Sequence, residues 1–372
     1  MRSRSFCLIA WLASFAISLH AADVEDVRFT LPPTGYAVVG SEMNVFFENL
    51  VLTERPDDLR FEVTSDLGTS DNSHWFVTPT AAQVGRHDWQ VSIARGSQTI
   101  AQGSMSWIVS PAKVNLDREI SLLIVGDSLT HATIYPNELS KRLTGSGVRW
   151  KMLGTHRPPN ALPGVAHEGY GGWTWNRFLT QFEPNPDTDK TKRKHSSPFV
   201  FQVDDKPQFD VGRFIHEFCA DQPPDFVIFK LGINDCFGAD PNELAKTDEQ
   251  IDGVFQQAEI LIKAFREATP KSELGICLTT PGNARDAAFV ANYQDRYPRW
   301  GWKRIQHRLV ERQLKQFGGR ETDNVHIIPT ELNLDIVGGY PLDNAVHPNE
   351  IGYHQIAASI HAWLMSRMIS RD

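Results

Sequence analysis

Ser121-Leu122-Leu123-Ile124-Val125-Gly126-Asp127-Ser128-Leu129 decides how this chain reads. A short apolar run ends in glycine, and a serine follows on the turn. Apolar runs without alternation belong to strands buried on both faces. Far downstream, Val346-His347-Pro348-Asn349 precedes the last candidate helix. A serine hydroxyl is a poor nucleophile at neutral pH. It needs a base within hydrogen-bond reach and donors for the oxyanion that forms. Ser128 and His347 are candidates for the nucleophile and its base.

From Ser121 onward, strand and helix signals alternate. Strand candidates are 122–125, 150–153, 226–231, 274–279 and 325–328. Helix candidates are 136–143, 173–182, 211–218, 249–268, 303–317 and 350–368. The stretch from Val254 to Ala268 has no Pro or Gly, and its apolar residues recur at three and four. Such alternation predicts a parallel sheet covered on both faces. Sites on open parallel sheets form at the carboxyl ends of strands. Four segments should therefore gather at one edge: Gly126–Thr130, Gly232-Ile233-Asn234-Asp235, Thr280-Pro281-Gly282 and Asp343–His347.

The segment before Ser121 is different. Short alternating runs at 27–29, 43–47, 59–63, 88–93 and 103–109 are separated by turn residues such as Pro32-Pro33 and Gly96-Ser97. That spacing predicts an antiparallel β-sandwich of the immunoglobulin or fibronectin kind over residues 22–112. Residues 113–372 then form the second domain. Residues 1–21 read as an export signal: Arg2 and Arg4, an apolar run from Phe6 to Leu19, then Ala21 and Ala22. Cleavage there implies a secreted or periplasmic protein with no membrane span.

The formal net charge is −8, and removing Arg2 and Arg4 makes it −10. An acidic chain without a basic stripe is a poor nucleic-acid binder. No protein partner is legible. Cys219, Cys236 and Cys277 would remain, and their odd number at wide spacing fits neither a disulfide framework nor a zinc pattern. They read as small buried hydrophobes. Neither a metal nor a cofactor is expected.

Four blocks in order, Gly126-Asp127-Ser128-Leu129, Gly169-Tyr170-Gly171-Gly172, Gly232-Ile233-Asn234-Asp235 and Val346-His347-Pro348-Asn349, resemble the SGNH hydrolases, also called GDSL esterases/lipases. The resemblance spans Ser121 to the end. It implies a three-layer α/β/α flavodoxin-like fold and metal-free ester hydrolysis. Ser128 would be the nucleophile, and its backbone N–H one oxyanion donor. Gly172 would be the second donor, with Gly171 the alternate if the register differs by one, and the Asn234 amide the third. His347 would be the general base.

The orienting acid departs from the family pattern, which places aspartate three residues before the histidine. Asn344 stands there, and Asp343 lies four before. Asp343 is the favoured orienter, with the Asn344 amide oxygen or a backbone carbonyl as alternatives. Tyr170 and Trp173 are candidate substrate-binding rings, although indoles serve packing equally well. Export, acidity, aromatics and the appended sandwich fit a carbohydrate acetylesterase acting on a small-molecule or polysaccharide ester. The alternatives are a short-chain lipid or aryl esterase, an inactive carbohydrate-binding protein and a metal-dependent hydrolase.

Overall fold

Alternation along one strand sets the layers of the α/β portion. In Ile120–Gly126, Leu123 and Val125 join one buried cluster, and Leu122 and Ile124 join another on the opposite face. Successive side chains of a strand point to opposite faces, so a strand apolar throughout must be covered twice. Residues 27–187 and 194–370 are described by this computed structural model. The expected export signal lies outside them.

Five parallel strands form the sheet, in the order Trp150–Leu153, Ile120–Gly126, Phe226–Lys230, Glu273–Cys277, Val325–Ile328. In chain order this is 2-1-3-4-5, the flavodoxin-like arrangement. Helices Trp175–Thr180, Val211–Cys219, Leu244–Ala268 and Arg299–Phe317 cover one face through Phe178, Phe214, Phe265 and Leu309. Helices Ile134–Gly145 and Glu350–Ile369 cover the other through Leu139, Leu143, Ile360 and Trp363. Each fully buried large apolar side chain contributes about 1.5–3 kcal/mol. The three-layer α/β/α expectation therefore holds. A two-residue strand, Glu168–Gly169, adds to the carboxyl end of the first strand, pairing Gly126 with Gly169. The helix Asp286–Tyr293 and the hairpin Val200–Val203/Lys206–Phe209 were not legible in the sequence.

The N-terminal portion packs a four-stranded sheet, Thr34–Val38, Gln98–Ser110, Gly85–Arg95 and Leu59–Ser65, beside a three-stranded one, Met43–Phe46, His74–Val77 and Thr69–Ser70. The sandwich is not wholly antiparallel. Thr34–Val38 runs parallel to Gln98–Ser110. Its sequence, Thr-Gly-Tyr-Ala-Val, lacks clean alternation because four of its five residues are buried.

The core of this module includes Leu332 and Ala358 from the α/β portion. Asn333 Oδ1 accepts from the backbone N–H of Asn44 at 2.9 Å, and Asn49 Nδ2 donates to the carbonyls of Glu331 and Leu334 at 2.7 and 2.9 Å. The sandwich thus grips the start of the irregular segment that ends at His347. Cys219, Cys236 and Cys277 are buried and unbridged.

Candidate functional site

Ser128 is the first residue of the short helix Ser128–His131, and Asp127 is its N-cap. Asp127 Oδ1 accepts from the Leu129 N–H at 2.9 Å. Capping is therefore done by the aspartate, which leaves the serine hydroxyl for other work. A first helical residue has no intrahelical partner for its N–H, so the Ser128 amide stays available as a donor. Gly126 is required just before it: a Cβ there would lie 1.9 Å from Thr130 Oγ1.

Ser128 Oγ lies 3.0 Å from His347 Nε2. The two residues are 219 positions apart in the chain and meet at the sheet edge. On the far side of the ring, Nδ1 lies 3.2 Å from Asn344 Oδ1. Asp343 is exposed. The orienting group at the imidazole is thus Asn344 and not the favoured Asp343. The reason is local backbone geometry. Asn344 Oδ1 also accepts from the N–H of Val346 at 3.2 Å and of His347 at 2.9 Å, closing an Asx-type turn that seats the ring.

Those two backbone donors solve a problem an asparagine would otherwise create. An amide beside Nδ1 can present NH2 instead of oxygen, which leaves the proton on Nε2 and blocks the base. Two N–H groups already pointing at Oδ1 hold the oxygen toward the ring. Nδ1 then carries the proton, and the Nε2 lone pair faces Ser128. Burial holds the His347 pKa below its ordinary value, so the ring is neutral at pH 7.

The second and third blocks meet through Asn234, whose Nδ2 donates to the Trp173 carbonyl at 3.1 Å. Asp235 Oδ1 accepts from the Trp175 N–H at 3.1 Å. The Tyr170 N–H reaches the Gly126 carbonyl at 3.1 Å, which ties the same block to strand Ile120–Gly126. Gly172 sits at φ +74°, a conformation that favours glycine. Burial raises Asp127 to about 6 and Asp235 to about 7. Both are loop-fastening groups, bonded to backbone N–H groups beside the site.

Tyr170 and Trp173 are 2% and 0% exposed. A sealed ring has no face for a sugar, so the packing role prevails over ring stacking on substrate. Trp173 packs on Phe178 and His195, and the Tyr170 hydroxyl bonds Glu168. His167 is also sealed: its Nδ1 accepts from the Gly169 N–H at 3.1 Å and its Nε2 meets Thr133 Oγ1 at 3.1 Å.

Asn283 was missed by the sequence reading. It is 1% exposed, and its Nδ2 donates to the Pro341 and Asn344 carbonyls at 2.8 and 3.0 Å. Its own N–H donates to the Ala345 carbonyl at 2.8 Å. It props the turn that carries His347. The only sequence signal was its place just after the fourth strand's Thr-Pro-Gly.

Among the described residues, no group of three or more His, Cys, Asp or Glu is placed to hold a metal ion. No helix among them is long and apolar enough to cross a membrane.

No family model matches the chain, and no curated protein matches it. Among the solved structures similar in part are three esterases. A family 3 carbohydrate esterase from Clostridium thermocellum is 19% identical, over 68% of this chain and 99% of its own, with a TM-score of 0.42. A carbohydrate esterase family 3 structure from Talaromyces cellulolyticus is 18% identical, over 68% and 99%, at 0.43. An acetyl xylan esterase is 14% identical, over 65% and 98%, at 0.34.

Proposed function

We propose that the protein is an exported serine esterase that removes acetyl groups from a polysaccharide. The observation that carries the catalytic part is the 3.0 Å contact between Ser128 Oγ and His347 Nε2 at the carboxyl edge of the sheet. His347 Nε2 takes the hydroxyl proton as Ser128 Oγ attacks the ester carbonyl carbon. The carbonyl oxygen becomes an oxyanion held by the Ser128 and Gly172 N–H groups and the Asn234 amide, and losing one such donor costs about a hundredfold or more. The C–O bond to the alcohol then breaks, and His347 returns the proton to the leaving oxygen. Water, deprotonated by the same imidazole, hydrolyses the acyl-enzyme and frees acetate. Asn344 Oδ1 accepts from Nδ1–H throughout.

One observation favours a second reading, hydrolysis of short-chain lipid or aryl esters. Leu342, on the same loop as His347, is 73% exposed. Acetate release from a panel of acetylated polysaccharides, beside p-nitrophenyl acetate and short-chain glycerides, separates the two. Acetylated polysaccharide should give the highest kcat/KM, and Ser128→Ala should abolish it. Small esters hydrolysed with no polysaccharide deacetylated would sink the carbohydrate reading.

A further inference from the structure

With Tyr170 and Trp173 sealed, the second block offers a sugar no ring face. Half-buried rings do line an open cleft of about 590 Å³ where the sandwich meets the catalytic portion. Its volume falls within the range of ligand sites. Phe46 stacks on His74 with centroids 4.9 Å apart and planes 14° from parallel. Phe61 stacks on the buried Phe47 at 4.7 Å and 7°. Beside the rings stand exposed polar groups, Asp57 and Arg60, with Asp335 on the far wall. Ring faces interleaved with hydrogen-bonding groups suit an amphipathic sugar, apolar on its C–H face and polar on its rim.

The far wall of this cleft, Asp335–Val337, belongs to the segment that carries His347. Asn349, two residues beyond the histidine, donates through its backbone N–H to the Gly339 carbonyl at 2.9 Å and through Nδ2 to the Gly338 carbonyl at 2.8 Å. The Pro281–Arg285 loop spans both regions. The Ala284 N–H meets the Ile336 carbonyl at 2.9 Å, and Asn283 holds Asn344. The cleft is therefore built onto the base's own support.

We infer that this cleft binds the backbone of a neutral polysaccharide, so that the sandwich supplies a substrate subsite. The inference rests on the esterase reading for its substrate and names the class more narrowly. The lining disfavours an anionic chain: Asp57, Asp71 and Asp335 stand there with Arg60, itself 3.3 Å from Glu62, and His74, 3.1 Å from Asp71, while Glu48 faces Lys303. A uronic-acid or sulfated chain would meet like charge there.

The test uses the full chain. In a Ser128→Ala background, calorimetric titration with glucomannan oligosaccharides should show binding, weakened about tenfold by Phe46→Ala, the scale of a lost stacking contact. Arg60→Ala, on an exposed side chain, should weaken it severalfold and covers the case in which the phenylalanine variant does not fold. In the active enzyme, Phe46→Ala should lower the ratio of kcat/KM for acetylated glucomannan to that for p-nitrophenyl acetate about tenfold. Binding that ignores both variants, or a preference for pectin oligosaccharides, overturns the inference. The two readings fail separately. Cleft-dependent binding without acetate release sinks the esterase and leaves the subsite. Deacetylation untouched by the cleft variants sinks the subsite and leaves the esterase.

Discussion

Ser128 and His347 stand on two very different pieces of chain. Ser128 sits on a turn whose geometry is made within a few residues: Gly126 lets the backbone pass Thr130, Asp127 caps, and Leu129 is buried. His347 stands near the end of an irregular stretch between strand Val325–Ile328 and helix Glu350–Ile369. That stretch is held by side-chain amides from elsewhere: Asn283, Asn49 of the sandwich, and Gln355 Oε1, which accepts from the Asp335 N–H at 3.0 Å. The first support is local and strong. The second is distributed, so it can be weakened in steps. The difference teaches that the support of His347, more than the turn of Ser128, is where this site can be tuned.

The largest effect tests whether the two supports serve one reaction. Ser128→Ala and His347→Ala should each lower kcat for p-nitrophenyl acetate by about 10⁴-fold or more, and the double variant little further. Losses that multiply in the double variant would mean the two side chains act separately. Next comes the orienting group. Asn344→Ala removes the acceptor of three hydrogen bonds and should cost about a hundredfold in kcat, with Asp343→Ala within about twofold of the parent. A larger loss at Asp343 would return the orienting role to the carboxylate.

Smaller again is the prop. Asn283→Ala deletes two amide donors to buried carbonyls and should cost about tenfold in kcat and about 1–3 kcal/mol of stability in urea unfolding. Stability lost with kcat intact would make Asn283 a packing residue with no hold on the base. The analogous cut at the nucleophile, removing the Asp127 cap, should instead cost mainly local helix stability.

The same contrast explains what could be read from the sequence. Strand Val325–Ile328 has the bounds the sequence suggested and is buried throughout, as a strand covered on both faces must be; Trp150–Leu153 also has its expected bounds, although at the sheet edge it leaves Lys151 exposed. Helix Leu244–Ala268 begins five residues before its expected start, since its first turns are polar and only Thr247 is buried among them. Ser128, Gly172, Asn234 and His347 stood out because each lies in a short block at a strand or helix end. Asn344 against Asp343 could not be settled by spacing. The winner depends on which oxygen the backbone N–H groups of Val346 and His347 can reach, and a carboxylate four residues back is turned to solvent. The rings of Tyr170 and Trp173 were ambiguous for a similar reason: residue type does not say which face a loop turns inward. Phe46 and Phe61 looked like ordinary strand residues, and only the docking of the sandwich gives them a shared cleft.

The finest test places an aspartate three residues before His347. Burial lowers the His347 pKa, so the folded enzyme keeps the neutral ring below its ordinary value near 6.5. The acid limb of kcat/KM should therefore fall below about pH 6.5. The stability contributed through this group follows the same sign: it is complete above about pH 6.5 and is lost as the pH drops, because the unfolded chain takes up the proton first. Asn344→Asp puts a negative charge on Nδ1–H. An opposite charge favours the imidazolium, so the limb should move up by about one unit, read from pH–rate profiles on p-nitrophenyl acetate. The plateau kcat should rise by less than about tenfold, since the backbone N–H groups already hold the asparagine oxygen toward the ring and fix the tautomer. A gain near the ten-thousandfold seen when a protease triad regains its aspartate would mean the parent ring carries its proton on the wrong nitrogen. An unmoved limb would mean residue 344 does not face the imidazole at all.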